Sequence, residues 1–216
     1  MSTIRRLKIL GAGLALAAIA LPANAVIVSF SNEFSGSGFT CANVTCATLS
    51  IEQVGSDVNF LLTGTLAPGE FIFGLYGNLD PLQTTLNLGP FGGTGQNSLS
   101  NISYGQDAFK ADGDGYFDWL FDFNNSPPRF DGADTLSWSF LNTNLNDVIN
   151  AISVDGPDGK TGFNFAMHVG GLGAGGGGSG WFYSTPGTVP VPEPGTLALF
   201  GLGLAGLGFG RRRRAN

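Results

Sequence analysis

Apolar and polar positions alternate in four segments of the chain. In "YFDWLFDFN", Phe117, Trp119, Phe121 and Phe123 share one face, and Tyr116, Asp118, Leu120 and Asp122 share the other. In "TLSWSF", Leu136, Trp138 and Phe140 alternate with Thr135, Ser137 and Ser139. "FNFAMHV" sets Phe163, Phe165, Met167 and Val169 against Asn164, Ala166 and His168, and "DVNFLLT" puts Val58, Phe60 and Leu62 on one side. A period of two is the mark of a half-buried strand. Four strands with one apolar face each need a second layer to cover them, which predicts an all-β domain, an antiparallel β-sandwich or jelly roll.

The punctuation agrees with strands. "APGE" at Ala67 to Glu70, "DGDG" at Asp112 to Gly115 and "DGPDGK" at Asp155 to Lys160 carry the residues that tight turns require. One short helix is expected in "NTNLNDVINAIS", where Leu145, Val148, Ile149 and Ile152 share a face. Asn144 would cap it, with Asp147 in the first turn. The glycine run from Gly170 to Gly180 has almost no side chains to pack and reads as a mobile loop between two strands. No helix or lysine follows it as a phosphate cradle requires.

The two ends differ from the middle. Arg5, Arg6 and Lys8 precede an apolar stretch from Ile9 to Leu21, followed by Ala23-Asn24-Ala25. That order predicts a signal peptide over residues 1–25, cleaved after Ala25, with the small residues Ala23 and Ala25 read at the cleavage site. The apolar stretch is shorter than the ~20 residues of a membrane-spanning helix. At the other end, Gly195 to Gly210 is apolar for sixteen residues. As a helix it would reach ~24 Å, against ~30 Å of hydrocarbon. Five of its last ten residues are glycine, each weakening a helix by ~1 kcal/mol relative to alanine. Arg211, Arg212, Arg213 and Arg214 follow and would stay cytoplasmic, leaving the preceding domain outside. The organisation expected is a leader, an exported domain over 26–185, a linker over 186–191 and a tail over 192–214.

Setting the ends aside changes the charge. Between residues 26 and 194 only Lys110, Arg129 and Lys160 are basic, against sixteen acidic residues, a net −13. So acidic a domain repels nucleic acid and anionic lipid, and a nucleic-acid-binding role is set aside. It also favours cations. Asp112, Asp114 and Asp118 in "KADGDGYFDW" are candidate calcium ligands on a glycine-permitted turn. An EF-hand alignment fails, because Lys110 and Phe121 fall at its first and twelfth positions. The competing reading is a hairpin whose Asp-Gly pairs supply positive φ.

Cys41 and Cys46 lie in the exported part and are expected to form a disulfide in an oxidising compartment. A loop this short gains modest stability from it. Among the aromatic residues, alternation assigns Trp119 and Trp138 to the core, and leaves Trp181, Tyr183 and Tyr116 as surface candidates for stacking on sugars. His168 stands on the polar face of its strand without a motif-placed nucleophile. There is neither a G-x-S-x-G elbow nor an H-E-x-x-H pair, so an enzyme is not expected. A pair of glycosidase carboxylates is the alternative that sequence cannot measure. Asn43 and Asn101 begin N-x-S/T sequons.

The tail carries one further reading. Pro192-Glu193-Pro194, the short glycine-rich apolar stretch and the arginine cluster Arg211 to Arg214, in that order at the C-terminus, resemble the PEP-CTERM sorting signal. The same tail is sometimes labelled an ice-binding protein C-terminal domain. The resemblance implies that a membrane-embedded exosortase recognises Pro192, Glu193 and Pro194 and cuts near them, after a transient stop of the helix in the membrane. It implies a Gram-negative host that makes exopolysaccharide, and a cell-surface or extracellular destination. Segments such as "FKADGDGYFDWLFDF" and "MHVGGLGAGGGGSGW" resemble the exported parts of such proteins, and bring no activity with them. The function expected is a non-enzymatic surface or matrix protein associated with polysaccharide. A carbohydrate-binding module, with or without calcium, is the alternative; a glycoside hydrolase comes third.

Overall fold

The computed structural model describes residues 25–36, 45–112, 115–153, 162–173 and 175–188. Its strands are β1 (Ala25–Gly36), β2 (Ala47–Val54), β3 (Asp57–Gly64), β4 (Phe71–Gly77), β5 (Leu99–Lys110), β6 (Tyr116–Phe123), β7 (Phe130–Asp131), β8 (Thr135–Phe140), β9 (Phe165–Leu172) and β10 (Gly178–Thr188). Every pairing among them is antiparallel, in the order β5-β6-β4-β9-β10-β1-β2-β3-β8, with β7 beside β4. The all-β antiparallel expectation therefore holds.

Two separate sheets are not what the chain builds. One ladder curls until strands near its two ends face each other. Phe121 of β6 lies 5.0 Å from Trp138 of β8, and Trp119 of β6 lies 5.6 Å from Phe140 of β8. The central pair, β1 with β10, has three register shifts. Bulges bend and twist the strand that carries them, and here they lie between the facing halves. Leu88 and Gly92 bridge to Phe140 and Ser137, covering the outer edge of β8 before the chain enters β5 through a 3-10 turn at Thr94–Ser98. A covered edge cannot template further pairing.

The inner face is apolar as alternation predicts. Val58, Phe60, Leu62, Trp119, Phe121, Phe123, Leu136, Trp138, Phe140, Phe165, Met167 and Val169 are all buried in one core. Phe117 and Phe163 depart from it. Phe117 lies past Trp119, which opposes the last residue of β4, and joins a second, smaller cluster. Phe163 precedes the first residue of β9. Asn164 donates through Nδ2 to the carbonyls of Ile149 and Ala151, 2.7 and 2.8 Å away, and this tether breaks the alternation.

The helix α1 (Leu145–Ile149) is capped as expected, with Asn144 and Asp147 forming a reciprocal capping box. It ends at Ile149, so Ile152 falls outside it and is 58% exposed instead of sharing its apolar face. The glycine run is not one long loop. Gly170 and Gly171 belong to β9, and Gly178 and Gly180 to β10; Gly173, Gly175, Gly176 and Gly177 lie between the two strands. Gly170 has a packing reason, since a Cβ there would stand 2.2 Å from the Phe73 ring. The "APGE" turn forms, with Gly69 at φ +94° and Glu70 N–H donating to the Ala67 carbonyl at 3.0 Å. Among the described residues no helix is long and apolar enough to cross a membrane.

Candidate functional site

The outer face of the sheet carries a band of aromatic rings. Register aligns it: Trp181 of β10 opposes His168 of β9 and Ser35 of β1, while Ala166 of β9 opposes Tyr183 of β10 and Tyr76 of β4. The pairing of β4 with β9 shifts register between Ile72 and Gly74, and Phe73 sits at that irregularity against His168.

Three rings from three neighbouring strands then stack. Phe73 lies 4.8 Å from His168, and His168 lies 4.2 Å from Trp181 with the ring planes only 1° apart. Trp181 continues to Tyr76 at 5.3 Å and Phe34 at 6.4 Å. Phe34 reaches Phe163 at 5.2 Å, which stacks on Tyr183 at 4.4 Å. At the opposite end Phe71 meets Phe73 edge-on, and the Arg129 guanidinium lies 4.1 Å over the Phe71 ring. Phe34, Phe73, Tyr76, Phe163, His168, Trp181 and Tyr183 are all half-buried. Phe34, Tyr76, Phe163 and Trp181 also pack against the smaller buried cluster of Ala111, Phe117 and Ala166, so the rings form a half-buried apolar ridge about as wide as four strands are spaced.

Its electrostatics are set by burial. Desolvation lowers the pKa of His168 below its ordinary 6.5, while Asp112 pulls in the opposite direction. Its Nε2 is buried without a hydrogen-bond partner among the described residues, which also disfavours the cation. Burial first, and Asp122 second, push the Tyr76 phenol up to about 12, so it stays a neutral donor. Asp122 is itself raised by desolvation, against a hydrogen bond from Asn101.

A pH dependence follows from His168. Its folded pKa is depressed, so the unfolded chain binds the proton first as pH falls through about 6.5. Stability due to this group is present above that value and is lost below it. Melting curves of the mature protein at about pH 7.5 and 5.5 should therefore show a larger drop for the wild type than for His168→Gln, which cannot titrate. Equal drops would show that the imidazole takes up its proton equally in the folded and unfolded states.

The other residues singled out by sequence fall as follows. Asp118 is not on an exposed polar face. It is buried, with Oδ2 accepting from Leu79 N–H at 3.0 Å and Oδ1 from Asp107 N–H at 2.9 Å, because those two backbone donors would otherwise lack partners. Asp112 accepts from the Ser35 hydroxyl and has φ +44°. Asp114 lies outside the described residues, and no three acidic, histidine or cysteine side chains among the described residues converge on a metal position. Cys46 is fully buried at the foot of β2, its N–H donating to the Phe30 carbonyl at 2.9 Å; Cys41 lies outside the described residues. Trp119 and Trp138 are core residues, 0% and 2% exposed. Tyr116 sits under Lys110 Nζ, 5.5 Å from its ring centre, away from the band. Phe34, Phe73 and Tyr76 carry no signal of their own in the sequence, and alternation sets Phe163 in the core. They come from three segments, β1, β4 and the residues leading into β9, and only pairing assembles them.

Ala23, the cleavage triplet Pro192, Glu193 and Pro194, and Arg211 to Arg214 lie outside the described residues. Residues 190–214 match the family model of the PEP-CTERM protein-sorting motif. The tail is a PEP-CTERM sorting signal. It marks the chain as an exported protein that exosortase processes, destined for the cell surface or extracellular space. No curated protein and no solved structure matches the chain. The PEP-CTERM match stops short of the β-domain, so what that domain does has to be read from its own residues. Cleavage at the motif predicts that mass spectrometry of the surface protein finds a C-terminus near Pro192 to Gly195. A surface form still ending beyond Arg214 would contradict it.

Proposed function

We propose that this is a non-enzymatic protein of the cell surface or extracellular matrix, and that its outer aromatic band holds it to exopolysaccharide. One observation carries the reading: seven half-buried rings from β1, β4, β9 with its leading segment, and β10 form a continuous apolar ridge in a domain delivered outside the cell. Pyranose rings present C–H faces that pack on aromatic surface, while the Tyr76 and Tyr183 hydroxyls can donate to and accept from sugar hydroxyls. A rigid ridge already packed against itself loses little side-chain entropy on binding. Asp112 and Asp122 beside it favour neutral polymers over anionic ones. A carbohydrate-binding module is the narrower form of the same proposal.

The domain offers no positive support for catalysis. Its one histidine is held between Phe73 and Trp181, and the buried Asp118 is held in place by two backbone donors. The deciding experiment passes the mature protein over exopolysaccharide from its own host. Retention, competed by excess soluble polymer, is expected; free passage would end the proposal.

A further inference from the structure

A cavity of about 320 Å³ opens where the loop after β4 meets the irregular part of β5 and the chain leaving α1, lined by none of the ridge rings. Its polar wall is Asn78, Asp80, Gln106, Asp107 and Asp118, and Ile152 stands exposed at its rim. Among the described residues no lysine, arginine or histidine lines it.

The wall has more acceptors than donors. Asp118 fixes its geometry by accepting from Leu79 and Asp107 N–H, and each carboxylate oxygen keeps a further lone pair. The Asp107 carboxylate takes no hydrogen bond from a described residue; burial, and secondarily Asp118, hold its carboxyl above the usual range. Asn78 Nδ2 is engaged by the Phe163 carbonyl at 3.3 Å, which leaves its Oδ1 as another acceptor.

We propose that this cavity binds a single uncharged sugar unit, whose hydroxyls donate to Asp107, Asp118 and Asn78 while its ring packs against Ile152. Three observations select that occupant. With no cation beside them among the described residues, these acceptors disfavour uronic acids and other anions. No three acidic, histidine or cysteine side chains among the described residues converge on a metal position, which suits several hydroxyls and not a metal ion. The volume lies near the low end of the roughly 300–1,000 Å³ of small-molecule sites, so it takes a ring and not a chain. This site goes beyond the ridge and does not depend on it.

The test is calorimetric titration of the mature protein with glucose, galactose, mannose, glucuronate and calcium chloride. At least one neutral hexose should bind at a single saturable site, and glucuronate should not. Asp107→Asn keeps the φ of +47°, which asparagine tolerates, and should weaken that hexose at least about tenfold. Ile152→Trp blocks the rim from a position 58% exposed, so the fold survives it, and should abolish binding. Trp181→Ala should leave hexose affinity unchanged while releasing the polymer, which separates failure of this site from failure of the ridge. The proposal is overturned if no hexose binds, if glucuronate binds as well, if calcium alone binds, or if both cavity variants bind like the wild type.

Discussion

Replacing Trp181 with alanine should lower retention of the mature protein on host exopolysaccharide by about 30-fold or more, the scale of a binding hot spot. Trp181 is the ring through which the ridge is continuous. It stacks flat on His168 and reaches Tyr76 and Phe34 on opposite sides. Without it, Phe71, Phe73 and His168 form one patch, and Phe34, Phe163 and Tyr183 form another. Neither patch would span a run of sugars. Folding should survive, because the side chain is only half-buried and both flanking strands keep their ladders. Circular dichroism of the variant should match the wild type. Leu61→Ala, exposed on β3 and absent from the ridge, is the control and should bind normally. A Trp181→Ala protein retained like the wild type would remove the ridge from the mechanism.

Parts of this ridge were legible in the sequence and parts were not, for physical reasons. Trp181 and Tyr183 stand out because they alternate with the buried Phe182 and Ser184. Phe73 does not, since its place depends on a register shift that no single strand encodes. Phe163 was misplaced because a tether from Asn164 to two carbonyls overrides the period of two. Asp118 shows the complementary error. Alternation counts a carboxylate as solvent-facing, whereas two backbone N–H groups can bury one. The core itself was nearly transparent, because Trp119, Trp138 and their neighbours obey strict alternation. What alternation cannot supply is the number of sheets. An inward face looks the same whether a second sheet covers it or the same sheet curls back, and here the bulged pairing of β1 with β10 belongs to one continuous ladder.

That curl makes Trp119→Ala the most damaging core change expected. Trp119 is fully buried, and its ring neighbours come from three places in the ladder: Phe121 on its own strand, Phe165 on β9 and Phe140 on β8 at the far end. Its Nε1 also donates to the Asn78 carbonyl at 3.4 Å, a weak bond that adds little. Removing the indole empties the place where the two ends of the sheet meet. The loss should be about 3–5 kcal/mol, a large share of the roughly 5–15 kcal/mol that holds a domain together. A drop in Tm of order 10 °C or more would accompany it. Trp138→Phe is the informative contrast. Trp138 stacks on Phe60 at 4.9 Å, but its Nε1 is buried without a partner among the described residues. Phenylalanine keeps that stack and removes an unpaired donor, so it should stay within about 1 kcal/mol of the wild type. Chemical denaturation of both variants decides the matter. If Trp119→Ala proved no less stable than Trp138→Phe, the ends of the sheet would not be joined through Trp119, and the curl would need another origin.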